Sequence, residues 1–263
     1  FGSETWDYAE LDRRSRALAQ ELRERGVGAE AIVAVALPRS LELVVALVAI
    51  LRAGGAYLPI DLDHPPARIA TILAQAALML ILAQDDPAEL YGDRLFSPSH
   101  WSQERGESLS PPSATDPAYV IFTSGSTGNP KGVMITHEMY AAAGQGFAAW
   151  TGSPSQDRFF TCLAYYHATS QYYSTMGSMA VGASLTIEDR FSASRFWYQV
   201  RNSRATVVNF IGMMMPVLAK NEPLPDDKDN TVRLFYGSPS FPPEFLAEFQ
   251  DRFDTDIIVG FGM

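Results

Sequence analysis

In the first third of this chain, short apolar runs alternate with segments of helical periodicity, and that alternation limits the folds open to it. Tyr8, Leu11, Ser15, Leu18 and Leu22 recur at three- and four-residue spacing with Arg and Glu between them, which predicts an amphipathic helix ending at Gly26. Residues 31–37 form an apolar strand, and after Pro38 residues 41–52 form a helix that stops at Gly54-Gly55. Residues 57–60 are a short strand, Pro65-Pro66 opens another helix, and residues 78–82 are a third strand. Strands separated by helices need crossover connections, so the expected fold class is α/β with parallel, helix-covered sheets.

From residue 84 to 117 the pattern gives way to a polar connector punctuated by Asp85-Asp86-Pro87, Ser97-Pro98-Ser99 and Ser110-Pro111-Pro112-Ser113. Beyond it a helix is expected over 136–150. Strands are expected at 159–163, 184–187, 206–209, 232–236 and 256–260, and helices at 193–203, 213–220 and 243–253. The expected organisation is two similar subdomains, residues 1–115 with the connector and residues 116–263. No internal sequence repeat is visible.

A hydrophobic content of 47% over 263 residues is ample for such a core. The net charge of −10 argues against nucleic acid or an anionic membrane as the main partner. The longest apolar run, residues 41–51, is too short to span a bilayer and contains Glu42, and no signal peptide is expected. The lone cysteine, Cys162, excludes an internal disulfide and a multi-cysteine metal site and fits a reducing, cytoplasmic setting. His64, His100 and His137 lack partners at metal-ligand spacing, so no metal-binding residue is assigned.

The richest chemistry lies at Thr123-Ser124-Gly125-Ser126-Thr127-Gly128-Asn129-Pro130-Lys131-Gly132, after the buried-type strand Val120-Ile121-Phe122. Glycines allow the backbone to turn its N–H groups onto one anion, hydroxyls add donors, and Lys131 adds a positive charge. The run is not a Walker A loop, because Pro130 precedes Lys131 where glycine is needed. A flexible Gly/Ser linker has a similar composition, but linkers are not preceded by a buried strand and closed by Pro-Lys-Gly and a second apolar run at 133–135.

This segment resembles the phosphate-binding signature of the adenylate-forming superfamily: acyl-CoA synthetases, aryl-acid ligases, luciferases and the adenylation domains of nonribosomal peptide synthetases. Trp6-Asp-Tyr-Ala-Glu-Leu11 and the run from Leu51-Arg-Ala-Gly-Gly-Ala-Tyr to Ile69 are similar to further peptide-synthetase signatures, with scaffold roles that include a local ion pair between Asp61 and Arg68. Thr161-Cys-Leu-Ala-Tyr-Tyr-His167 resembles the strand and loop that place a His or aromatic beside the reacting carboxylate. Phe196-Trp-Tyr-Gln-Val-Arg201 and Asn209-Phe-Ile-Gly-Met-Met-Met-Pro216 look more like carnitine/crotonobetaine-type CoA ligases. Leu234-Phe-Tyr-Gly-Ser-Pro239 is similar to the adenine-contacting turn, and Gly260-Phe-Gly-Met263 to the start of the aromatic-Gly-x-Thr-Glu signature.

The resemblance implies activation of a carboxylic acid by ATP as acyl-AMP, then transfer to coenzyme A or a carrier-protein phosphopantetheine. Thr123, Ser124, Gly125, Ser126, Thr127, Gly128 and Lys131 would hold the phosphates. Gly237, Ser238, Pro239, Phe261, Gly262 and Met263 would surround the adenine. His167, otherwise readable as a satisfied core residue, becomes the catalytic candidate. Tyr166, Ala168, Gln171, Phe210 and Gly212 are the expected substrate-pocket residues. Tyr172, Tyr173 and Met213 to Met215 read first as core. The Mg²⁺ ligand, the rest of the nucleotide site and a C-terminal lid domain are expected beyond Met263, so the remainder of the polypeptide counts as a partner and this chain alone is not expected to turn over.

Amino-acid-activating relatives carry an Asp where this chain has Ala168; that Asp pairs with the substrate ammonium. The expected substrate is therefore a carboxylic acid without an α-amine. An amino-acid adenylation domain and a non-catalytic nucleotide-binding module are the alternatives.

Overall fold

The structure, a computed structural model, describes residues 1–2, 4–86, 89–102, 106–123 and 131–260. Two compact units divide the chain between Tyr140 and Ala141.

In the first unit, helix α1 (Tyr8–Glu24) starts where Asp7 accepts the Glu10 N–H. Helix α2 (Leu41–Ala53) is capped by Ser40, which accepts the Leu43 N–H, and ends at left-handed Gly54. With α3 (Pro66–Gln75) these helices accompany β1 (Ile32–Ala36), β2 (Ala56–Pro59), β3 (Leu78–Ala83), the short β4 (Leu95–Phe96), β5 (Pro117–Thr123) and β6 (Lys131–Thr136). The sheet order is β4-β3-β1-β2-β5-β6. All its pairings are parallel except β5 with β6.

Two expectations change here. The strand that leads into residues 124–130 was expected to open the second subdomain; it belongs to the first sheet, so the division falls at 140/141 and not at 115/116. The cause is tertiary. Tyr119 pairs with Tyr57 on β2, their rings stack at 5.3 Å, and the hydroxyl of Tyr57 donates to that of Tyr140 at 2.9 Å. Asp61, expected to pair with Arg68, instead lies 3.4 Å from His64, three residues on.

Helix α4 (His137–Trp150) continues into the second unit, which holds β7 (Arg158–Thr161), α5 (Gly177–Val181), β8 (Ser184–Ile187), α6 (Phe196–Ser203), β9 (Val207–Ile211), α7 (Met214–Ala219), β10 (Leu234–Ser238), α8 (Pro243–Phe253) and β11 (Asp256–Val259). Its five strands lie in the order β11-β10-β9-β7-β8, all parallel. One face is a core of Phe160, Phe196, Phe210, Phe235, Phe249 and Phe253. The other carries Phe147, Phe159, Val207, Leu234 and Tyr236.

The two sheets share a topology that the sequence does not advertise. Each contains its first four strands in the order fourth-third-first-second, β4-β3-β1-β2 and β10-β9-β7-β8. In both, the chain leaves the first strand in one direction and returns to pair on its other side. That reversal opens a crevice at the carboxyl ends of the first and third strands, which is where open parallel sheets bind ligands. In the second unit this rule puts the switch point between β7 and β9.

Candidate active site

The two strands flanking residues 124–130 are antiparallel, with Thr123 opposite Lys131. Lys131 is exposed at the foot of β6. Ser124, Gly125, Ser126, Thr127 and Gly128, and likewise Phe261, Gly262 and Met263, lie outside the described residues. The backbone of Thr123 closes the hairpin register.

The loop after β7 carries His167 to the switch point of the second sheet. Its N–H donates to the Ala164 carbonyl at 3.0 Å, and its own carbonyl accepts from Ser170 Oγ at 2.8 Å. His167 Nδ1 accepts the Thr169 N–H at 3.2 Å, so in the neutral ring the proton resides on Nε2. Burial lowers the pKa of this half-buried imidazole. The side chain is thereby held as a neutral Nε2–H donor at physiological pH, suited to a carboxylate or phosphate oxygen.

Ala168 begins the π-helical segment Thr169–Met176, a wound form that recurs at functional sites. Side-chain hydroxyls brace it. Ser170 Oγ donates to the Ala164 carbonyl at 2.6 Å and Thr175 Oγ1 to the Ser170 carbonyl at 2.9 Å. Tyr166 is exposed on the preceding loop. Gln171 is fully buried and its amide donates to the Tyr165 carbonyl, so it holds the loop from beneath. Phe210 is likewise fully buried, packed in the phenylalanine-rich core.

The ends of β9, β10 and β11 are laced by backbone. The Gly212 N–H, in left-handed conformation, donates to Ser238 O at 2.9 Å, and the Gly260 N–H donates to Gly237 O at 2.8 Å. Gly237 is obligatory: a Cβ there would stand 1.9 Å from the Phe210 carbonyl oxygen. Ser238 and Pro239 are exposed just past this closure, joined by a cis peptide.

Register reveals a feature that periodicity missed. Phe160 pairs with Val208, and Asn209 with Tyr236, so Thr161, Asn209 and Tyr236 form a polar row across the three central strands. Asn209 is fully buried. Its Oδ1 accepts from Ser174 Oγ at 2.6 Å, while its Nδ2 is buried with no hydrogen-bond partner among the described residues. Burial and a hydrogen bond with Tyr173 push the Tyr236 phenol well above its usual pKa, so it stays protonated. The one signal in the sequence was a single amide inside the apolar strand Val207–Ile211. Among the described residues no cluster of His, Cys, Asp and Glu could hold a metal, and no helix is long and apolar enough to cross a membrane.

Comparison with known proteins decides the family. The profile of the AMP-binding enzymes matches residues 1–263, the whole chain. The chain belongs to the AMP-binding enzyme family. Within that family it is 37% identical over 161 residues to gramicidin S synthase 2 of Brevibacillus brevis, covering 59% of this chain and 4% of that one. It is 35% identical over 197 residues to tyrocidine synthase 1 of Brevibacillus parabrevis, covering 71% of this chain and 18% of that one. The chain thus spans a small part of the curated relatives it matches.

Among solved AMP-binding structures, the AMPPNP-bound nonribosomal peptide synthetase FmoA3 superposes with a TM-score of 0.84 at 27% identity, covering 96% of this chain and 28% of that one. The N-terminal subdomain of Klebsiella oxytoca NpsA superposes at 0.86 over 100% of this chain and 67% of that one; at 22% identity that likeness speaks for the fold. The α/β architecture with parallel sheets is that of the N-terminal region of adenylate-forming enzymes.

Proposed function

We propose that this AMP-binding chain takes part in ATP-dependent activation of a carboxylic acid. The substrate carboxylate oxygen attacks the α-phosphorus of ATP, the bond to the β,γ-pyrophosphate breaks, and acyl-AMP and pyrophosphate result. The acyl group then passes to a thiol, of coenzyme A or of a carrier-protein phosphopantetheine, with AMP as leaving group. The observation that carries this reading is the match of residues 1–263 to AMP-binding enzymes; the hydroxyl- and glycine-rich sequence between β5 and β6 is compatible with it. The AMPPNP bound by FmoA3 supports a nucleotide as ligand.

A carboxylate of pKa ~4 is already ionised at neutral pH, so the first step needs positioning and charge neutralisation and no base. Residues 123–128 and Lys131 are proposed to hold the phosphates, and Gly237, Ser238 and Pro239 with residues 261–263 the adenine. His167 is proposed to offer its Nε2–H to the reacting carboxylate, with Tyr166, Ala168 and Gly212 around the acyl group and Gln171 and Phe210 supporting them. Magnesium would accompany the nucleotide and neutralise phosphate charge.

The acid is proposed to lack an α-amine. Position 168 is Ala, and no acidic residue occurs between Arg158 and Glu188. A buried substrate ammonium without a counter-charge would cost several kcal/mol. Similarity to the gramicidin and tyrocidine synthases favours the second reading, activation of an amino acid for a carrier protein.

The deciding experiment is ATP–pyrophosphate exchange on the polypeptide that carries this chain, with amino, aryl, fatty and hydroxy acids in parallel. Exchange with acids lacking an α-amine supports the first reading, and exchange confined to amino acids replaces it with the second. ATP binding without exchange for any acid overturns both and leaves a nucleotide-binding module.

A further inference from the structure

The connector read from sequence as irregular and polar forms one wall of a cavity of about 370 Å³ in the first unit, between itself, α1 and α2. That volume falls in the range of small-molecule sites. We propose that this cavity binds a small organic anion, a carboxylate or phosphate ester with an apolar body, through Arg16, Arg52 and His137.

The wall is fixed in place. Gly106 lies so close to α1 that a Cβ would stand 2.3 Å from the Arg16 carbonyl oxygen. The Glu107 N–H donates to Gln20 Oε1 at 3.1 Å, and Arg23 Nη2 donates to the Ser110 carbonyl at 3.3 Å. Opposite the wall, α1 and α2 supply an apolar floor that includes Ala19 and Leu51.

The polar lining is a set of donors with spare capacity. Asp12 holds both guanidinium groups, accepting from Arg16 Nε at 2.8 Å and from Arg52 Nη2 at 2.7 Å. One carboxylate therefore orients two cations. The other N–H groups of each guanidinium have no hydrogen-bond acceptor among the described residues. A planar carboxylate or a phosphate matches that remaining fork geometry. His137 lines the same cavity at the start of α4, its backbone N–H tied to the Asp116 carbonyl at 3.0 Å and its Nε2 buried with no partner among the described residues. A buried ring nitrogen without a hydrogen bond costs stability unless a ligand or water completes it. Glu107, exposed on the rim, is the opposing charge in the lining and disfavours polyanions over a single-headed acid. The apolar floor sets the same preference, for a ligand with one charged end.

The test is an NMR titration of the full chain with sodium hexanoate, inorganic phosphate and hexylammonium chloride, reading the Nε–Hε signals of Arg16 and Arg52 and the His137 ring signals. Saturable shifts at these groups with hexanoate, and none with hexylammonium, are expected. Weaker saturation with phosphate identifies the carboxylate with an apolar tail as the better ligand; tighter saturation identifies the phosphate ester. Arg52→Lys keeps the charge beside Asp12 but removes the fork, and His137→Asn withdraws the ring nitrogen from the cavity. Each variant is expected to weaken hexanoate about tenfold, the scale of one lost charge-assisted hydrogen bond. No saturable shift with either anion, equal response to hexylammonium, or undiminished affinity in both folded variants overturns the proposal.

Discussion

Ser174 Oγ donates to Asn209 Oδ1 at 2.6 Å where both side chains are fully buried, and the amide nitrogen of Asn209 has no partner among the described residues. The pair joins the π-helical segment to the middle of β9, at the central member of the polar row. Ser174→Ala and Asn209→Leu are each expected to destabilise the protein by about 1 kcal/mol or more, since each strands a buried polar atom. The double change removes donor and acceptor together and is expected to cost less than the sum. Urea unfolding of the four proteins measures the coupling; strict additivity would show that the bond contributes nothing.

Gly237 is packed against the carbonyl of Phe210 with no room for a methyl group. Gly237→Ala must therefore part the ends of β9 and β10. A melting temperature within a degree of the parent's would contradict that geometry. Gly212→Ala, at a position with φ of 50° and open space around it, is expected to cost only about 1 kcal/mol.

Burial holds His167 below the ordinary imidazole pKa. Between that depressed value and about 6.5 the unfolded chain binds more protons than the folded one. Its contribution to stability is therefore full above about pH 6.5 and declines as pH falls toward the folded pKa. A ring titration by NMR with a midpoint at or above 6.5 would overturn this, and His167→Asn is expected to flatten the pH dependence in that window. In adenylation, the same variant is expected to lose about tenfold to a hundredfold in rate while remaining folded.

Asp157 is buried at the foot of the second sheet and paired with Arg233, which also donates to Ser153 Oγ at 3.0 Å. Burial alone would raise the Asp157 pKa; hydrogen bonds from Arg233, Thr206 and Ser153 outweigh it and hold the carboxyl below its ordinary value. The stabilisation is thus present above pH ~4 and lost as pH falls through the folded pKa. Arg233→Met is expected to cost about 2–4 kcal/mol at pH 7. The gap from the parent should narrow in acid, as chemical denaturation at pH 7 and pH 3 would show.

Lys131 is exposed, so its removal should spare the fold. Lys131→Ala is expected to weaken ATP and pyrophosphate about tenfold by calorimetry, with an unchanged melting temperature. Unaltered nucleotide affinity would count against the proposed phosphate role of this residue.

The elements of the fold were legible wherever the signal was local. Leu18, Leu22 and their neighbours wrote α1 in their spacing, and Val33 to Ala36 wrote β1 in an unbroken apolar run. Partners in space were not legible. Nothing around Tyr119 announces that its strand completes the first sheet, because the evidence lies on Tyr57 and Tyr140. The π-helical segment escaped periodicity because its order comes from Ser170 and Thr175 hydroxyls bonding to backbone. His167 was singled out by resemblance alone, whereas its tautomer, set by the Thr169 N–H, needed coordinates. The row through Asn209 and Tyr236 needed the strand register.

The shared strand order has a consequence for how the molecule opens. In each sheet the strand made first is flanked on both sides, β1 by β2 and β3, β7 by β8 and β9, so its amides are sheltered until neighbouring strands detach. Native-state hydrogen exchange should therefore slow toward β1 in one unit and toward β7 and β9 in the other, with β4 and β11 exchanging first. Each unit would then unravel from its margins inward, and β9 with Asn209, together with β7, whose following loop holds His167, would be among the last to let go.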